Sequence, residues 1–374
     1  MIETNKFFDT LNSCDVNFFA GVPDSLLKHL CAYISDRVPS GQHVIAANEG
    51  SAVALATGHY LSTGTPALVY MQNSGQGNAV NPLVSLADPE VYGIPMLLLV
   101  GWRGEPGLKD EPQHAKQGKI TDEIFRAMDI PCSILPNETD PAIVTVKNAI
   151  HQCRQETRPV ALLVHADSFS TSTSKYNEPD GALNREQVIS QIAGFLPPDA
   201  ALISTTGHIS RELYEFRLRS QSGHAHDFLT VGSMGHASQI ALGIALNQPQ
   251  RPVVCFDGDG AALMHLGALP IIGSYAGPHF LHILLNNGAH GSVGGQPTVG
   301  FNVNFPDMAR ACGYRMAMCV TRFEEIAASL TRLLKTDGPT FLEICVSIEA
   351  RADLGRPQTS PRENKTKFME FLQT

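Results

Sequence analysis

The sequence predicts an α/β protein of two doubly wound parallel-sheet domains. Short, nearly continuous apolar runs alternate with longer amphipathic stretches, the pattern of parallel strands covered by helices on both faces. That alternation runs twice along the 374 residues. Between the two series lies DSFSTSTSKYNEPDGALN (167–184), rich in Ser, Thr, Asn, Pro and Gly and without periodicity, which reads as a linker. The domains are therefore placed at 1–170 and 185–374, joined by a linker at 171–184, with no third unit between them.

In the first series VNFFAGV (16–22), HVIAANEG (43–50), PALVYMQNSG (66–75) and IPMLLLVGW (94–102) read as strands, and ILP (134–136) and RPVALLVHA (158–166) supply the last two. SLLKHLCAYISDR (25–37) and GSAVALATGHYLSTG (50–64) have helical spacing, the second closing on a glycine, and a further helix is expected near 140–156. In the second series AALISTTG, HDFLTVGSMG, PVVCFDGDG, HFLHILLNN and PTFLEICVSI read as strands. REQVISQIAGFL, ISRELYEFRLRS and ASQIALGIALNQ read as helices, with others across 261–276, near 306–312 and over 322–335. Sheets of this kind bind ligands at the carboxyl ends of their strands, where the loops carry the chemistry.

A composition 43% hydrophobic and 17% charged is enough to bury two ordinary cores. The net charge of -9 argues against a nucleic-acid or anionic-membrane surface, so an anionic ligand would need cations placed locally. No run reaches the roughly 18 uninterrupted apolar residues of a membrane span. The opening MIETNKFFDTLNSCD lacks the basic-then-apolar profile of a secretory signal, and the expectation is a cytoplasmic protein. The eight cysteines are scattered, several within apolar runs and none in a C-x-x-C pair; they read as reduced thiols, with neither disulfides nor a zinc site.

Two successive strands end on oxygen-bearing side chains: PVVCFDGDG on Asp259, HFLHILLNN on Asn286 and Asn287. Gly258 and Gly260 let the backbone turn sharply and approach a ligand closely. A carboxylate with amide oxygens is a sparse, hard donor set of the kind Mg²⁺ completes with water and phosphate oxygens. Each motif alone reads more readily as a plain strand-to-helix turn, with Asp259 as its cap, or as a tight turn. Together, a strand ending in GDG and the next ending in NN resemble the cofactor motif of the thiamine diphosphate enzymes.

That resemblance implies that Asp259 and Asn287 bind Mg²⁺, with the carbonyl of Ala289 as third ligand, and that Gly258, Gly260 and Ala261 belong to the cofactor site. It also implies a glutamate on the other domain that hydrogen-bonds N1′ of the aminopyrimidine. AANEGSAVALATG (46–58) offers Glu49 in that place, at a strand end before a small-residue helix. TVGSMGHASQIALG (230–243) is similar to the segment that wedges an apolar side chain under the cofactor, with Met234 as the wedge beside Gly232 and Ser233. STTGHISREL (204–213) looks like the diphosphate-side loop, with Thr205, Thr206, Gly207 and His208 as donors.

GVPDSLLK (21–28), MQNSGQGNAVNPL (71–83) and GWRGEPGLKDEPQHAKQGK (101–119) resemble the corresponding segments of the phosphonopyruvate decarboxylases. That family, like its sulfopyruvate-decarboxylating relatives, lacks the middle domain of larger thiamine enzymes. The resemblance implies a pyrimidine-binding and a diphosphate-binding domain, thiamine diphosphate and Mg²⁺ as cofactors, and decarboxylation of 3-phosphonopyruvate to phosphonoacetaldehyde in phosphonate biosynthesis. Such a substrate carries a carboxylate and a largely dianionic phosphonate. Arg103, Lys109, His114 and Lys116 lie in one glycine- and proline-rich loop at a strand end, where the matching cations belong. Asp24, Ser25, His290 and Ser292 are further substrate candidates.

A sulfopyruvate or other 2-oxo acid decarboxylase, a carboligase, and a non-catalytic thiamine-fold subunit are the alternatives. Glu49 standing together with Asp259 and Asn287 speaks against the last. Glu49 and Asp259 fall on different domains, and the family builds each site across a subunit interface, which implies a homodimer or a dimer of dimers.

Overall fold

The computed structural model describes residues 1–172, 182–348 and 350–374. The chain divides into two compact units, and the division falls within 173–181; Val293–Gln296 count with the first unit. Most of the linker expected at 171–184 thus lies outside the described residues. By Leu183 the chain already belongs to the second unit, since Leu183 bridges Val346 and Asn184 caps the helix Arg185–Phe195.

Each unit is built on a six-stranded, all-parallel sheet. The first comprises β1 (Phe19–Gly21), β2 (His43–Ile45), β3 (Ala67–Gln72), β4 (Met96–Gly101), β5 (Cys132–Ile134) and β6 (Pro159–Val164), in the order β2-β1-β3-β4-β6-β5. The second comprises β7 (Ala201–Ser204), β8 (Asp227–Leu229), β9 (Val253–Gly258), β10 (Phe280–Asn286), β11 (Met316–Val320) and β12 (Thr340–Cys345), in the order β11-β12-β10-β9-β7-β8. Renumbered from its own first strand, the second sheet has the strand order of the first. In both, the chain leaves the first strand for one side and returns on the other, so a crevice opens between β1 and β3, and again between β7 and β9. Such switch points are where doubly wound sheets receive ligands.

The nearly continuous apolar strands follow from burial on both faces. Along β4, Leu97 and Leu99 enter one core and Leu98 and Val100 the other. Along β10, Leu281, Ile283 and Leu285 face one core while Phe280 and Leu284 face the opposite one. Among the described residues no helix is long and apolar enough to cross a membrane.

Several elements depart from the sequence reading. Edge strand β11, MAMCV, was not anticipated: it is only partly buried and has one β-branched residue. The helices Thr4–Ser13, Gln76–Pro82 and Pro361–Leu372 also add to those expected. The segment 101–119 is not one loop. A helix begins at His114 and runs to Ala127, so His114 and Lys116 ride on a helix while Arg103 and Lys109 stay in the loop before it.

Candidate active site

In the second unit the switch point is flanked by the residues that follow β7 and β9. Thr205 is buried and donates its N–H to the carbonyl of Phe256, tying the end of β7 to β9 at 2.8 Å. Thr206 is half-buried beside it. Gly207 adopts φ 99°, a conformation L side chains rarely reach, and caps the helix that His208 opens. Burial, with Arg185 and Arg211 adding to it, pushes the His208 imidazole down to about 4, so the ring is neutral near pH 7.

Across the crevice Gly258 ends β9 and Asp259 opens the helix Asp259–Met264. Asp259 is 2% exposed; one carboxylate oxygen accepts the N–H of Asn287 at 3.3 Å and the other accepts the hydroxyl of Thr298. Burial pushes this carboxyl up to about 6 against those bonds. Asn287 turns its side-chain oxygen to the N–H of Ala289 at 3.1 Å. Asp259, at the head of its helix, is thus bonded into the Asn287–Ala289 turn that follows β10. A buried carboxylate that is costly to ionise, tied to an asparagine-bearing turn, has the chemistry of a hard divalent-cation ligand, and Mg²⁺ is a cation that such oxygen donors suit.

The loop after β8 carries Gly232, Ser233 at φ 54°, Met234, and Gly235 at φ 84°. Met234 is half-buried, and its Cε would lie 3.4 Å from a Cβ placed on Gly260. The ring of His290 would lie 3.1 Å from the same point. Met234, Gly260 and His290 are thus brought together, and only a glycine keeps that junction open. The carbonyl of Ala261 lies 2.9 Å from where a Cβ on Gly235 would stand. His290 is buried and pushed down to about 4, while Ser292 is exposed, its hydroxyl within 3.5 Å of where a Cβ on Gly207 would stand.

In the first unit Glu49 is the first residue of the helix Glu49–Thr63, which Asn48 caps by accepting the N–H of Gly50 at 2.8 Å. The helix ends on left-handed Gly64. Glu49 is 5% exposed and accepts the side-chain amide of Asn78 at 2.7 Å. A Cβ on Gly75 would stand 2.4 Å from its other oxygen, so Gly75 leaves that side of the carboxyl unobstructed. Burial raises the carboxyl above the ordinary glutamate range, and the Asn78 bond opposes this.

Asp24, after β1, has no exposed surface and accepts from Gln72 at 2.7 Å and from the N–H of Leu26 at 3.1 Å. Its carboxyl too is raised by burial. The expected cation cluster is reorganised by a residue the sequence reading passed over. Asp110 takes a two-pronged bond from Arg103 and a third from His114 at 2.9 Å, which holds its carboxyl far below the usual range. The remaining Arg103 nitrogen reaches the Ser25 hydroxyl at 2.9 Å.

Ser25, Lys28, His29, Arg103, Lys109 and Asp110 line a cleft of about 310 Å³ within this unit. Lys116 is exposed on its helix and is not part of the lining. Lys28, absent from the sequence reading, and Lys109 are the lining lysines, and among the described residues no ion pair holds either. Asn78 and Asp110 stand inside motifs singled out above, where their amide- and oxygen-bearing side chains were the available signal; Thr298 lies outside them.

Residues 4–125 match the family described as thiamine pyrophosphate enzyme, N-terminal TPP binding domain, and residues 205–344 match the corresponding C-terminal TPP binding domain. A phosphonopyruvate decarboxylase of Streptomyces hygroscopicus is 36% identical over 392 residues, covering 99% of this chain and 94% of that one. One from Streptomyces viridochromogenes is 37% identical over 385 residues, covering 97% and 93%. A sulfopyruvate decarboxylase of Methanosarcina acetivorans is 26% identical over 391 residues, covering 98% and 97%. Likeness of this degree, end to end and in both cofactor-binding halves, means that the chain belongs to the phosphonopyruvate decarboxylase family of thiamine diphosphate-dependent decarboxylases.

Proposed function

We propose that the chain converts 3-phosphonopyruvate to phosphonoacetaldehyde and carbon dioxide, with thiamine diphosphate and Mg²⁺, as a cytoplasmic homodimer or dimer of dimers. The observation that carries the substrate is the near-complete match at 36–37% identity to two phosphonopyruvate decarboxylases, against 26% for the sulfopyruvate enzyme. Asp259, the side-chain oxygen of Asn287 and the carbonyl of Ala289 would hold the metal, and Thr205, Thr206, Gly207 and His208 the diphosphate. Gly232, Ser233, Met234, Gly258, Gly260 and Ala261 would shape the bed beneath the rings.

Bound thiamine diphosphate supplies the electron sink that lets a 2-oxo acid lose carbon dioxide. Glu49 would hold a proton at N1′ of the pyrimidine, and burial, which raises its carboxyl above the ordinary glutamate range, favours the protonated form. Asn78 fixes the orientation of the carboxyl. Asp24 and His290 would move protons at the substrate, and Ser25 and Ser292 would hydrogen-bond it. Arg103, its fork closed on Asp110 and its third nitrogen on Ser25, would fix the wall of the subsite, and Lys28 and Lys109 would supply the positive charge a dianion needs. His114 acts by bracing Asp110, and Lys116 is left outside the subsite.

A homodimer is supported by the outward face of the helix that begins at Glu49. Ser51, Ala54, Leu55 and Gly58 leave it open and lightly polar, and Leu61 is 72% exposed. The second unit likewise exposes Leu246, Ile271 and Tyr275.

Carbon dioxide release from phosphonopyruvate, sulfopyruvate and pyruvate tests the reading. Phosphonopyruvate is expected to have the highest kcat/KM; a preference for sulfopyruvate overturns the assignment, and no release from any of the three overturns the decarboxylase. Lys28→Gln and Lys109→Gln should each lower kcat/KM for phosphonopyruvate by roughly tenfold, about 1.4 kcal/mol, with pyruvate unaffected.

A further inference from the structure

The two asparagines that follow one another at the end of β10 have separate tasks. Asn287 belongs to the turn with Asp259 and Ala289, whereas Asn286 has no exposed surface and is committed on every side. Its side-chain nitrogen donates to the Glu343 carboxylate at 2.8 Å and to the carbonyl of Gly300 at 3.1 Å. Its oxygen accepts the N–H of Gly288 at 3.0 Å. Glu343 lies on β12, 6% exposed, with its carboxyl raised by burial and held back by the bond from Asn286.

Gly300 is pressed between the two groups this linkage joins. A Cβ there would stand 2.6 Å from a carboxylate oxygen of Asp259 and 2.7 Å from the side-chain oxygen of Asn286. The N–H of Gly300 donates to Thr298 at 3.0 Å, and the Thr298 hydroxyl donates to Asp259. A continuous series of hydrogen bonds thus runs from Glu343 through Asn286, the Gly300 backbone and the Thr298 hydroxyl to Asp259, while Gly288 connects Asn286 to the stretch between Asn287 and Ala289.

We propose that Glu343, acting through Asn286, is a positioning residue that sets the shape of the Asp259–Asn287–Ala289 turn and with it the affinity for Mg²⁺. The inference rests on the reading of that turn as the metal site. The physical cause is the two-hydrogen amide of Asn286: with Glu343 present both hydrogens have buried acceptors, and without it one is orphaned. The amide must then turn toward another partner or admit water, and the grip on Gly300 and Gly288 loosens. Outer groups that orient ligands in this way typically change metal affinity by about 10–100-fold when removed.

The test is a Mg²⁺ titration of the full chain at fixed thiamine diphosphate, read both by the shift in unfolding temperature and by carbon dioxide release. Glu343→Ala is expected to raise the half-saturating Mg²⁺ concentration by about 10–100-fold, with kcat at saturating Mg²⁺ near wild type. Glu343→Gln, which keeps an oxygen for Asn286, should restore most of the affinity. Asn286→Ala breaks the same linkage from its other end and serves if Glu343→Ala does not fold; its Mg²⁺ requirement should rise comparably, and combining it with Glu343→Gln should add little. A lower unfolding temperature with unchanged Mg²⁺ dependence would mean that Glu343 only fills the core, and a kcat loss that Mg²⁺ does not restore would also overturn the proposal. Wild-type protein that binds thiamine diphosphate without any divalent ion would instead overturn the metal site itself.

Discussion

Glu49→Gln is expected to turn over on the order of 10³-fold more slowly than wild type while still binding thiamine diphosphate. The substitution keeps the shape of the side chain and an oxygen for Asn78, but removes the only atom able to give and retake a proton there. Steady-state carbon dioxide release measures the loss, and the cofactor-induced shift in unfolding temperature measures the retained binding. Turnover within about tenfold of wild type would remove Glu49 from the chemistry. Stability should change in the opposite sense. Because burial raises the folded carboxyl above its unfolded value, its contribution to stability is present in acid and is lost as pH rises through the folded value. Glu49→Gln has no such loss, so its stability relative to wild type should improve between acid and mildly alkaline pH.

Asp259→Asn is expected to abolish Mg²⁺-dependent cofactor binding, and with it all turnover, without lowering the unfolding temperature of the cofactor-free protein. Asp259 rises from 3.8 to about 6 on folding. Ionised at pH 7.5 in its buried place, it costs the cofactor-free fold roughly 2–3 kcal/mol that an amide would not. The sign follows from the same linkage: the stabilising contribution is full below about pH 4 and is lost as pH rises through about 6. The gap in favour of the variant should therefore open across that window and level off above it. A variant that still binds thiamine diphosphate in a Mg²⁺-dependent way would exclude Asp259 as a ligand. Together the two variants separate the ends of the cofactor: one loses chemistry with binding intact, the other loses binding with the fold intact.

The parallel-sheet architecture was legible because burial on both faces writes itself into β3, β4, β6, β9 and β10 as uninterrupted apolar runs. β11 was not, because half of an edge strand faces away from any core and its residues need not be apolar or branched. The helix from His114 was hidden by Pro112 just before it and Gly118 within it, which read as loop. At the candidate site, the residues whose chemistry stands at one position could be named from motifs: Glu49, Asp259, Met234 and the 205–208 loop. Their supports were not. Asn78, Thr298 and Glu343 reach their partners across 29, 39 and 57 residues of sequence, distances that only the folded topology closes. Arg103 and His114 both bond Asp110, and that carboxylate was not legible because nothing in the motif distinguishes it from the other acidic residues of the segment.

The repeated strand order has a thermodynamic consequence. Neither sheet borrows a strand from the other, and each unit encloses its own pair of cores. Without cofactor the protein should therefore melt as two cooperative blocks, visible by calorimetry as two heat-absorption peaks or one broadened beyond a single transition. A cavity cut into the first block, such as Leu99→Ala, should shift the melting of the block that carries Glu49 and leave the block that carries Asp259 where it was.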